Sequence, residues 1–390
     1  MDPVYIVGMA RSPIFSVELG KNDGPNTSSA SSLYPQDIGA QVLRSIFEET
    51  SIIPEDIDFI YLGSVISQKV ERNLYQSPAK FLIRKGADGK PVRALGRTVE
   101  KACSTGLSAI WSGARKILTG KADMVIAGGM DMMSRQKNEV IIRGLTDPST
   151  QKIMAQLADE KAMDLGITRE MHDSYALESY QFAAVHLEDH RIVPIRVSED
   201  ADSVVRLDEE VVKKASRIKD AHLKRSPAYP GCKIITPLNS SKYGDAAAFI
   251  VLASEKAVRE RGLRPIARLV AYAEWSGREP KDFITAPVGA VNKALAFSGL
   301  TVSQIDRWEN NEAFATVPIN LINKFRIERG SMNPWGGAVA HGHPIGATGG
   351  VLTVKNLQIL EKDQKRYGMV VICNATSEAT AMIFERGGLR

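Results

Sequence analysis

The chain has few cysteines, and their spacing excludes several common classes of protein. Its 390 residues contain only Cys103, Cys232 and Cys373, without a CxxC pair or a Cys/His cluster at metal-ligand spacing. A disulfide scaffold is not favoured in a chain of this size, and a reducing compartment is the simpler interpretation. The sequence therefore predicts no metal site and leaves the thiols free for chemistry.

Long apolar runs and a strong excess of charge are also absent. No apolar run approaches the roughly 20 residues of a membrane span. The strand-like run Val4–Val7 begins almost at the N-terminus, with no signal or transit segment before it. The net charge is +5, from 50 basic and 45 acidic residues, which gives no indication of a nucleic-acid partner. We expect a cytoplasmic protein with neither a membrane nor a nucleic-acid partner.

The two halves of the chain carry the same series of predicted elements in the same order. Each series has an amphipathic helix that begins at a Gly-Ala pair, an Ile-Asp strand, a helix of small residues and a buried strand. The first copy comprises Gly39–Phe47, Ile57–Ile60, Gly106–Leu118 and Met124–Ala127, and the second comprises Gly289–Phe297, Ile305–Trp308, Gly346–Leu360 and Met369–Ile372. This alternation predicts an α/β fold built from two similar halves.

The two copies do not adjoin, which predicts an inserted domain. Between them the chain is richer in charge and poorer in strand pattern, with helical stretches at Met171–His186 and Glu209–Leu223. The predicted divisions are 1–133 plus 241–265 for the N-terminal half, 134–240 for an inserted loop domain, and 266–390 for the C-terminal half. A chain of this length exceeds one ordinary core, in agreement with such a division.

Two segments place reactive side chains at predicted helix starts. Cys103 stands in Lys101-Ala102-Cys103-Ser104-Thr105-Gly106, where free amides and the helix dipole favour a thiolate. A lone cysteine is more often an inert core residue. His343 lies among glycines in the segment 336–349, which allows a sharp turn into a helix. Histidine is the natural residue for moving protons near neutral pH.

Two further segments follow predicted strands. Asn311-Glu312-Ala313-Phe314 comes after the strand around Trp308, where Asn311 can hold a water or donate to an oxyanion. The alternative is a turn or a helix cap. Cys373 ends the strand Met369–Ile372, and strand carboxyl ends are where α/β folds place their sites. Taken alone, Cys373 would be a buried structural thiol.

Together these four segments resemble the motifs of the thiolase family. The matching residues are Cys103–Gly106, Asn311–Phe314, Gly342–Pro344 and, approximately, Cys373–Ala375, and Arg11–Pro13 and Gly128–Met130 also fit. The resemblance covers both halves of the chain. It implies duplicated βαβαβαββ halves in a five-layered α-β-α-β-α arrangement with an inserted loop domain.

The resemblance also implies an acyltransferase with a role in lipid and fatty acid metabolism. It would either condense acyl-CoA molecules, forming acetoacetyl-CoA, or cleave 3-ketoacyl-CoA by thiolysis. Cys103 would carry the acyl group, His343 would activate it, and Cys373 would exchange the α-carbon proton. Asn311, through a water, and His343 would form one oxyanion hole, and the amides of Cys103 and Ala375 a second. Coenzyme A would be substrate and product, with no tightly bound cofactor, and the assembly a homodimer or homotetramer.

The coenzyme A contacts have weaker signals. Asn239-Ser240-Ser241 resembles the family's Asn-Ala-Ser segment. The expected contacts are Ser241, Asn239, Arg217 and Phe314. A basic run, comprising Lys213, Lys214, Arg217 and Lys219, would lie near the nucleotide phosphates. The alternative for this run is a solvated helix face.

The segment after Cys373 and the residue at position 341 depart from the family. The family's glycine-rich loop reads here Cys373-Asn374-Ala375-Thr376-Ser377-Glu378-Ala379. A glycine of positive φ would be poorly replaced by Ala375, and polar residues here would narrow or re-aim the pocket. His341 stands where an aliphatic residue is usual, as a second titrating group or a larger wall.

These departures leave two alternatives to a working thiolase. One is a protein of the same fold that binds acyl-CoA without turnover. The other is a ketoacyl-synthase-like condensing enzyme. Those enzymes use a second histidine where thiolases use a cysteine, so Cys373 argues against that reading.

Overall fold

The computed structural model describes residues 3–20, 24–66, 94–189, 191–200, 203–214, 227 and 229–387. Its strands are β1 (Val4–Arg11), β2 (Phe15–Ser16), β3 (Phe59–Gly63), β4 (Leu95–Val99), β5 (Met124–Met132), β6 (Ile195–Arg196), β7 (Val204–Val205), β8 (Gly244–Ser254), β9 (Ala267–Ser276), β10 (Arg307–Asn310), β11 (Tyr367–Asn374) and β12 (Glu378–Arg386). Its helices are α1 (Pro35–Glu49), α2 (Thr105–Leu118), α3 (Asn138–Gly144), α4 (Met154–Asp164), α5 (Arg169–Val185), α6 (Glu209–Lys214), α7 (Glu255–Glu260), α8 (Ala286–Ser298), α9 (Thr316–Phe325), α10 (Ala338–His341) and α11 (Thr348–Lys362). None of these helices is long and apolar enough to cross a membrane.

The main sheet repeats one strand order in its two halves. Across the described residues the order is β4-β3-β5-β8-β1-β9-β12-β11-β10, with β2 against β8. In the first half β3 pairs parallel with β5, and β8 pairs antiparallel with both β5 and β1. In the second half β10 pairs parallel with β11, and β12 pairs antiparallel with both β11 and β9. The predicted duplication is confirmed, and a short pairing of Val4–Ile6 with Ala267–Leu269 joins the halves.

Helices cover both faces of this sheet in five layers. Helix α1 packs on the outer face of the first half, and α8 on the outer face of the second. Helices α2 and α11 lie between the two halves in one shared apolar cluster. Strands β5 and β8 are near-continuous apolar runs because helices cover them on both sides. The predicted α-β-α-β-α arrangement is confirmed.

The two central helices touch at glycines near their N-termini. A Cβ added to Gly349 would lie 2.1 Å from the amide nitrogen of Leu107, and one added to Gly106 would lie 2.9 Å from that of Gly350. Any side chain at these positions would force the helices apart. The contact brings the starts of α2 and α11 together, and with them the segments that carry Cys103 and His343.

The described residues between 134 and 240 include helices α3 to α6 and the small hairpin β6-β7. The stretch predicted at Met171–His186 is observed as α5. The stretch predicted at Glu209–Leu223 begins as α6, and residues 215–223 lie outside the described residues. Asp159 of α4 accepts hydrogen bonds from three successive amides, those of Lys233, Ile234 and Ile235. The helix thereby fixes the chain just before the segment that contains Ser241.

Candidate active site

Cys103 lies in a strained turn that leads directly into α2. The turn Ala102–Ser104 is a short 3-10 segment, and Cys103 is 3% exposed within it. Ala102 has a φ of +41°, a conformation that residues with a side chain rarely adopt. Such backbone persists only where surrounding contacts impose it. Cys103 is therefore held at the start of the helix at a conformational cost.

Asn311 and Cys373 meet where two parallel strands end. Strands β10 and β11 are neighbours, so their carboxyl ends lie at the same edge of the sheet. The Asn311 Oδ1 accepts a hydrogen bond from the Cys373 amide at 3.1 Å. The Asn311 Nδ2 donates to the Cys373 carbonyl at 3.3 Å. The Asn311 carboxamide thus hydrogen-bonds to both backbone groups of Cys373, a role that the sequence did not suggest.

His343 is buried, and its hydrogen bonds define which ring nitrogen carries the proton. The hydroxyl of Thr348 donates to the Pro344 carbonyl at 2.8 Å, so its oxygen accepts from His343 Nδ1 at 2.6 Å. In the neutral ring Nε2 then carries the lone pair. The Nδ2 of Asn311 lies 3.5 Å from Nε2. His343 therefore presents a basic nitrogen toward Asn311.

The segment after His343 is anchored to β5. The Asp131 Oδ2 accepts from the Gly346 amide at 2.6 Å, and its Oδ1 accepts from the Ser64 hydroxyl at 3.0 Å. Burial raises the pKa of Asp131 to about 6, and these hydrogen bonds partly offset that effect. A carboxylate with this many donors is a rigid brace.

Burial keeps all three reactive groups uncharged near neutral pH. It raises the pKa of Cys103 to about 12, and the donating amide of Ala375 lowers it only in part. Burial also raises the pKa of Cys373, with the neighbouring Cys103 thiol adding to the effect. It lowers the pKa of His343 to about 4. The expectation of a resting thiolate at Cys103 is therefore wrong, because desolvation outweighs the favourable helix start.

Two cavities reach this region and share Leu145. The one that contains Cys103 has a volume of about 230 Å³. Its other walls are mostly apolar, comprising Val65, Ile66, Ala102, Gln136, Val140, Ile141, Gly144, Leu145, Ile345 and Ala375. The second has a volume of about 440 Å³ and is lined by Ser241, Phe314, Lys214 and Tyr243 among others. An apolar chamber at the nucleophile beside a larger, more polar one suits a thioester with an acyl group and a long polar arm.

The loop after Cys373 avoids the expected strain at Ala375. Ala375 has an ordinary φ, and the left-handed residue is Ser377, with a φ of +57°. The Ser377 hydroxyl donates to the carbonyls of Glu279 and Pro280, which brace this conformation. Alanine at position 375 therefore does not distort the loop.

One donor of the predicted second oxyanion hole has a partner inside the protein. The Cys103 amide donates to the Asn374 Oδ1 at 3.1 Å. The Ala375 amide, the other predicted donor, points at the Cys103 sulfur. Of the two predicted donors, the Ala375 amide is therefore the one that donates toward the Cys103 sulfur in this structure.

Comparison with known proteins identifies the family. The profile described as "Thiolase, N-terminal domain" matches residues 4–141 and 135–256, and "Thiolase, C-terminal domain" matches residues 263–386. The chain belongs to the thiolase family. It is 33% identical to acetyl-CoA acetyltransferase IB of Candida tropicalis, over 99% of this chain and 98% of that one.

Two solved thiolase-fold structures superpose on nearly the whole chain. The Bacillus anthracis acetyl-CoA acetyltransferase does so with a TM-score of 0.88 at 28% identity, covering 99% of each chain. A thiolase from Ascaris suum in complex with coenzyme A does so with a TM-score of 0.85 at 31% identity, covering 99% of this chain and 100% of that one. The predicted thiolase fold is confirmed.

The residues predicted to contact coenzyme A are found in different settings. Ser241 and Phe314 line the larger cavity, and the Ser241 amide donates to the Ala313 carbonyl at 3.0 Å. Asn239 is fully buried, and its carboxamide bonds to Asp173, Thr236 and Ile234. That placement favours a structural role for Asn239.

The basic run is only partly described. Arg217 and Lys219 lie outside the described residues. Lys214 lines the larger cavity and pairs with Glu210 at 2.6 Å, and Lys213 pairs with Glu209 at 3.6 Å. Across the described residues, no group of three or more His, Cys, Asp or Glu is arranged to hold a metal.

Sequence reasoning missed the role of Glu312 inside the Asn-Glu-Ala-Phe motif. Its buried carboxylate accepts from the Tyr175 hydroxyl at 2.7 Å, Asn333 Nδ2 at 2.6 Å, the Ser179 hydroxyl at 3.0 Å and the Val339 amide at 3.1 Å. These partners come from α5, from the segment after α9 and from α10. Glu312 therefore joins the insert to the segment that leads to His343. The signal in the sequence was a glutamate directly after Asn311, the asparagine predicted to be catalytic.

It also missed the partner of His341. The Nδ1 of His341 faces the Asp208 Oδ2 at 2.8 Å, and Nε2 faces the Trp335 carbonyl at 2.8 Å. Both partners are hydrogen-bond acceptors. Asp208 also binds Arg11 through both oxygens at 2.9 Å. His341 is thus part of a buried charged network, which neither expected role anticipated.

Proposed function

We propose that this thiolase transfers acyl groups between coenzyme A thioesters through an acyl-enzyme on Cys103. The observations that carry the proposal are that Cys103 lines an apolar chamber and has the Cys373 thiol as a neighbour, and that Asn311 lies against both Cys373 and His343. The names of the relatives, acetyl-CoA acetyltransferase and thiolase, support the same chemistry. Both directions, Claisen condensation and thiolytic cleavage of a 3-ketoacyl-CoA, use this arrangement.

The first step forms the acyl-enzyme. The Cys103 sulfur attacks the thioester carbonyl while its proton passes to His343 Nε2, the nitrogen that bears the lone pair. The new carbon–sulfur bond replaces the bond to coenzyme A, which leaves as a thiolate and takes the proton back. A neutral imidazole suits this task, because burial holds the pKa of His343 near 4. The Ala375 amide, which donates to the Cys103 sulfur, would donate to the developing oxyanion.

The second step uses Cys373. In condensation Cys373 first passes its thiol proton to His343, and the Cys373 thiolate then removes a proton from the α-carbon of a second acyl-CoA. The resulting carbanion attacks the acyl-enzyme carbonyl and expels Cys103 as a thiolate, which takes the proton from His343. In thiolysis the same sulfur returns that proton to the departing carbanion. Asn311 fixes Cys373 through both backbone groups, so the base is held at a defined position. Asn311 Nδ2 also lies near His343 Nε2, so a substrate oxygen at this place would accept from Asn311 and, once Nε2 has taken a proton, from His343 as well.

The test is thiolysis of acetoacetyl-CoA by free coenzyme A, followed by loss of the ketoacyl absorbance. We expect turnover in the wild type and its loss in Cys103→Ala. Cys232→Ala is the matched control, because Cys232 is equally buried but lines neither cavity. Binding of acyl-CoA without turnover in the wild type would instead support the non-catalytic alternative, and equal turnover in Cys103→Ala would remove the proposed nucleophile.

The proposal extends to organisation and context. We propose that residues 1–133 with 241–265 form one half and 266–390 the other, around the insert 134–240, with β8 completing the first half. A homodimer or homotetramer and a role in lipid metabolism are proposed from the resemblance, and a cytoplasmic location from the free cysteines, which favour a reducing compartment. Light scattering on the purified protein tests the oligomeric state, and a monomer would contradict it.

A further inference from the structure

Asn374 is a buried polar residue at a position that the family's motif leaves open. It is the last residue of β11, it follows Cys373 directly, and it is fully buried. A buried carboxamide needs partners for both its oxygen and its nitrogen. Both partners of Asn374 lie in one three-residue stretch that ends at Cys103.

The two hydrogen bonds hold this stretch on both sides of its strained residue. The Asn374 Oδ1 accepts from the Cys103 amide at 3.1 Å, and its Nδ2 donates to the Lys101 carbonyl at 3.0 Å. Between them lies Ala102, with its φ of +41°. The carboxamide orientation is fixed, because a flipped group would set its NH₂ against an N–H and its oxygen against a carbonyl.

The other hydrogen bonds made by the amides of this turn go to residues close to it in the sequence. The Lys101 amide donates to the Thr105 hydroxyl at 2.7 Å, and the Ala102 amide donates to the exposed Glu100 at 3.0 Å. Thr105 belongs to the helix that the turn enters, and Glu100 belongs to the chain that enters it. Asn374 lies in the opposite half of the molecule, 271 positions from Cys103, and binds the backbone of the turn on both sides of Ala102. The opposite half also reaches side chains of the turn, since Lys101 Nζ pairs with Glu274 and Glu378 and the Ala375 amide donates to the Cys103 sulfur.

We infer that Asn374 is a positioning residue, whose carboxamide clamps the turn 101–103 and sets the place of the Cys103 sulfur against the half that carries Cys373. The clamp takes the Cys103 amide, so the oxyanion depends on the amide of Ala375. A side chain that only blocked the Cys103 amide would need just an acceptor oxygen. The second hydrogen bond, from Asn374 Nδ2 to the Lys101 carbonyl, indicates that the carboxamide also holds the turn in place.

The variants separate the two hydrogen bonds from side-chain volume. Asn374→Leu keeps the volume and loses both bonds, and Asn374→Asp keeps an acceptor for Cys103 but cannot donate to Lys101. Thr376→Ala, an exposed position in the same loop, is the matched control. Ala102→Gly combined with Asn374→Leu tests the strain directly, because glycine adopts positive φ without a side-chain penalty.

Two readouts are measured, and only one depends on the proposed function. The first is kcat and KM for acetoacetyl-CoA thiolysis. The second is the rate of alkylation of Cys103 by iodoacetamide across pH, read by peptide mass spectrometry. Because misplacement of a reacting group by about 1 Å can cost about 100-fold in rate, we expect Asn374→Leu to lower kcat by at least about tenfold while KM changes little. We expect its alkylation profile to shift, and the Ala102→Gly double variant to regain part of both losses.

Opposite outcomes would overturn the inference. An Asn374→Leu enzyme with unchanged or higher kcat and an unchanged alkylation profile would show that the carboxamide holds nothing in place. A circular dichroism melt shows whether Asn374→Leu is folded. If it is not, the same two measurements are made on Asn374→Asp, which loses only the bond to Lys101. A wild type without thiolysis would remove the proposed function, and the alkylation profiles would still decide the role of Asn374.

Discussion

At the residue scale, burial determines the state of each reactive group. Cys103, Cys373 and His343 are all nearly or fully buried, and desolvation is the largest influence on the pKa of each. The site is therefore neutral before substrate arrives, and charge develops only during the reaction. Water exclusion strengthens the interactions that meet this charge.

The depressed pKa of His343 predicts a contribution to stability that depends on pH. The folded value is about 4, and the unfolded value is about 6.5. The unfolded chain binds the extra proton below pH 6.5, so this contribution is complete above 6.5 and is lost as pH falls toward 4. Between pH 8 and pH 5 the loss is about 2 kcal/mol.

Urea unfolding at both pH values tests this contribution in wild type and His343→Gln. The difference between the two pH values should be smaller in the variant by that amount. His186→Gln, a partly exposed histidine outside the site, gives the comparison. An unchanged pH difference in His343→Gln would mean that His343 is not held neutral by the fold.

At the residue scale, the sequence indicated which residues form the candidate site but not their protonation states. The motifs indicated Cys103, His343, Cys373 and Asn311, and the fold brings these residues to one region. The expected thiolate was wrong, because the sequence shows a helix start but not its burial. Asn374 was recognised only as a departure, since its partners lie 271 and 273 positions away.

At the element scale, the contact between α2 and α11 positions the site. The crossing depends on the absence of side chains at Gly106 and Gly349. Gly349→Ala would place a Cβ 2.1 Å from the Leu107 amide nitrogen, with backbone that cannot yield easily. We expect a loss of about 2–4 kcal/mol in the free energy of unfolding, as for other overpacked or strained core positions, together with loss of turnover.

Gly330→Ala is the control for this helix crossing. A Cβ at Gly330 meets nothing within 4 Å, so the stability of that variant should stay close to that of the wild type. Chemical denaturation measures both. A Gly349→Ala protein as stable and active as the wild type would show that the close crossing is not required.

Glu312 connects three elements that are separate in the sequence: α5, the segment after α9, and α10. Glu312→Gln keeps the shape but turns one acceptor oxygen into a donor that faces other donors. Leaving buried donors without an acceptor costs about 1–3 kcal/mol each, so we expect Glu312→Gln to lose at least about 2 kcal/mol. The exposed Glu328→Gln is the matched control. Equal denaturation midpoints for the two variants would contradict this account.

At the scale of the whole molecule, a buried charged network ties the insert to both halves. Asp208 precedes α6 in the insert, Arg11 ends β1, and His341 ends α10 beside the catalytic segment. Burial raises the pKa of Asp208, but the Arg11 charge and the hydrogen bonds with Arg11 and His341 together hold it well below its usual range. The insert is thus part of the structure around the active site.

Removing the carboxylate should expose how much the molecule depends on this network. Asp208→Asn removes the carboxylate that binds the buried Arg11 through both oxygens, and breaking a buried pair in this way costs about 3–5 kcal/mol. Glu199→Gln, at an exposed position of the same insert, should change little. Thermal and urea unfolding measure both, and a fully stable Asp208→Asn would show that the network is dispensable.

The architecture of the whole chain was predictable because it is repeated. Two copies of one strand–helix series indicated two equal halves, and the duplicated sheet order confirms them. The insert was less predictable, since its contacts through Asp159, Glu312 and Asp208 depend on distant partners. The periodicity of apolar residues indicates which positions are buried, but it does not indicate which buried charged side chains contact each other.

The most direct test of the account is whether Cys103 carries the acyl group. Wild type, Cys103→Ala and Cys373→Ala are mixed with acetoacetyl-CoA or acetyl-CoA, acid-quenched and examined by intact and peptide mass spectrometry. The account predicts one acetyl group on the Cys103 peptide of the wild type with acetyl-CoA, and none in Cys103→Ala. It also predicts that Cys373→Ala still accepts acetyl from acetyl-CoA but does not cleave acetoacetyl-CoA. No adduct in the wild type while coenzyme A is released, or an adduct that persists in Cys103→Ala, would contradict it.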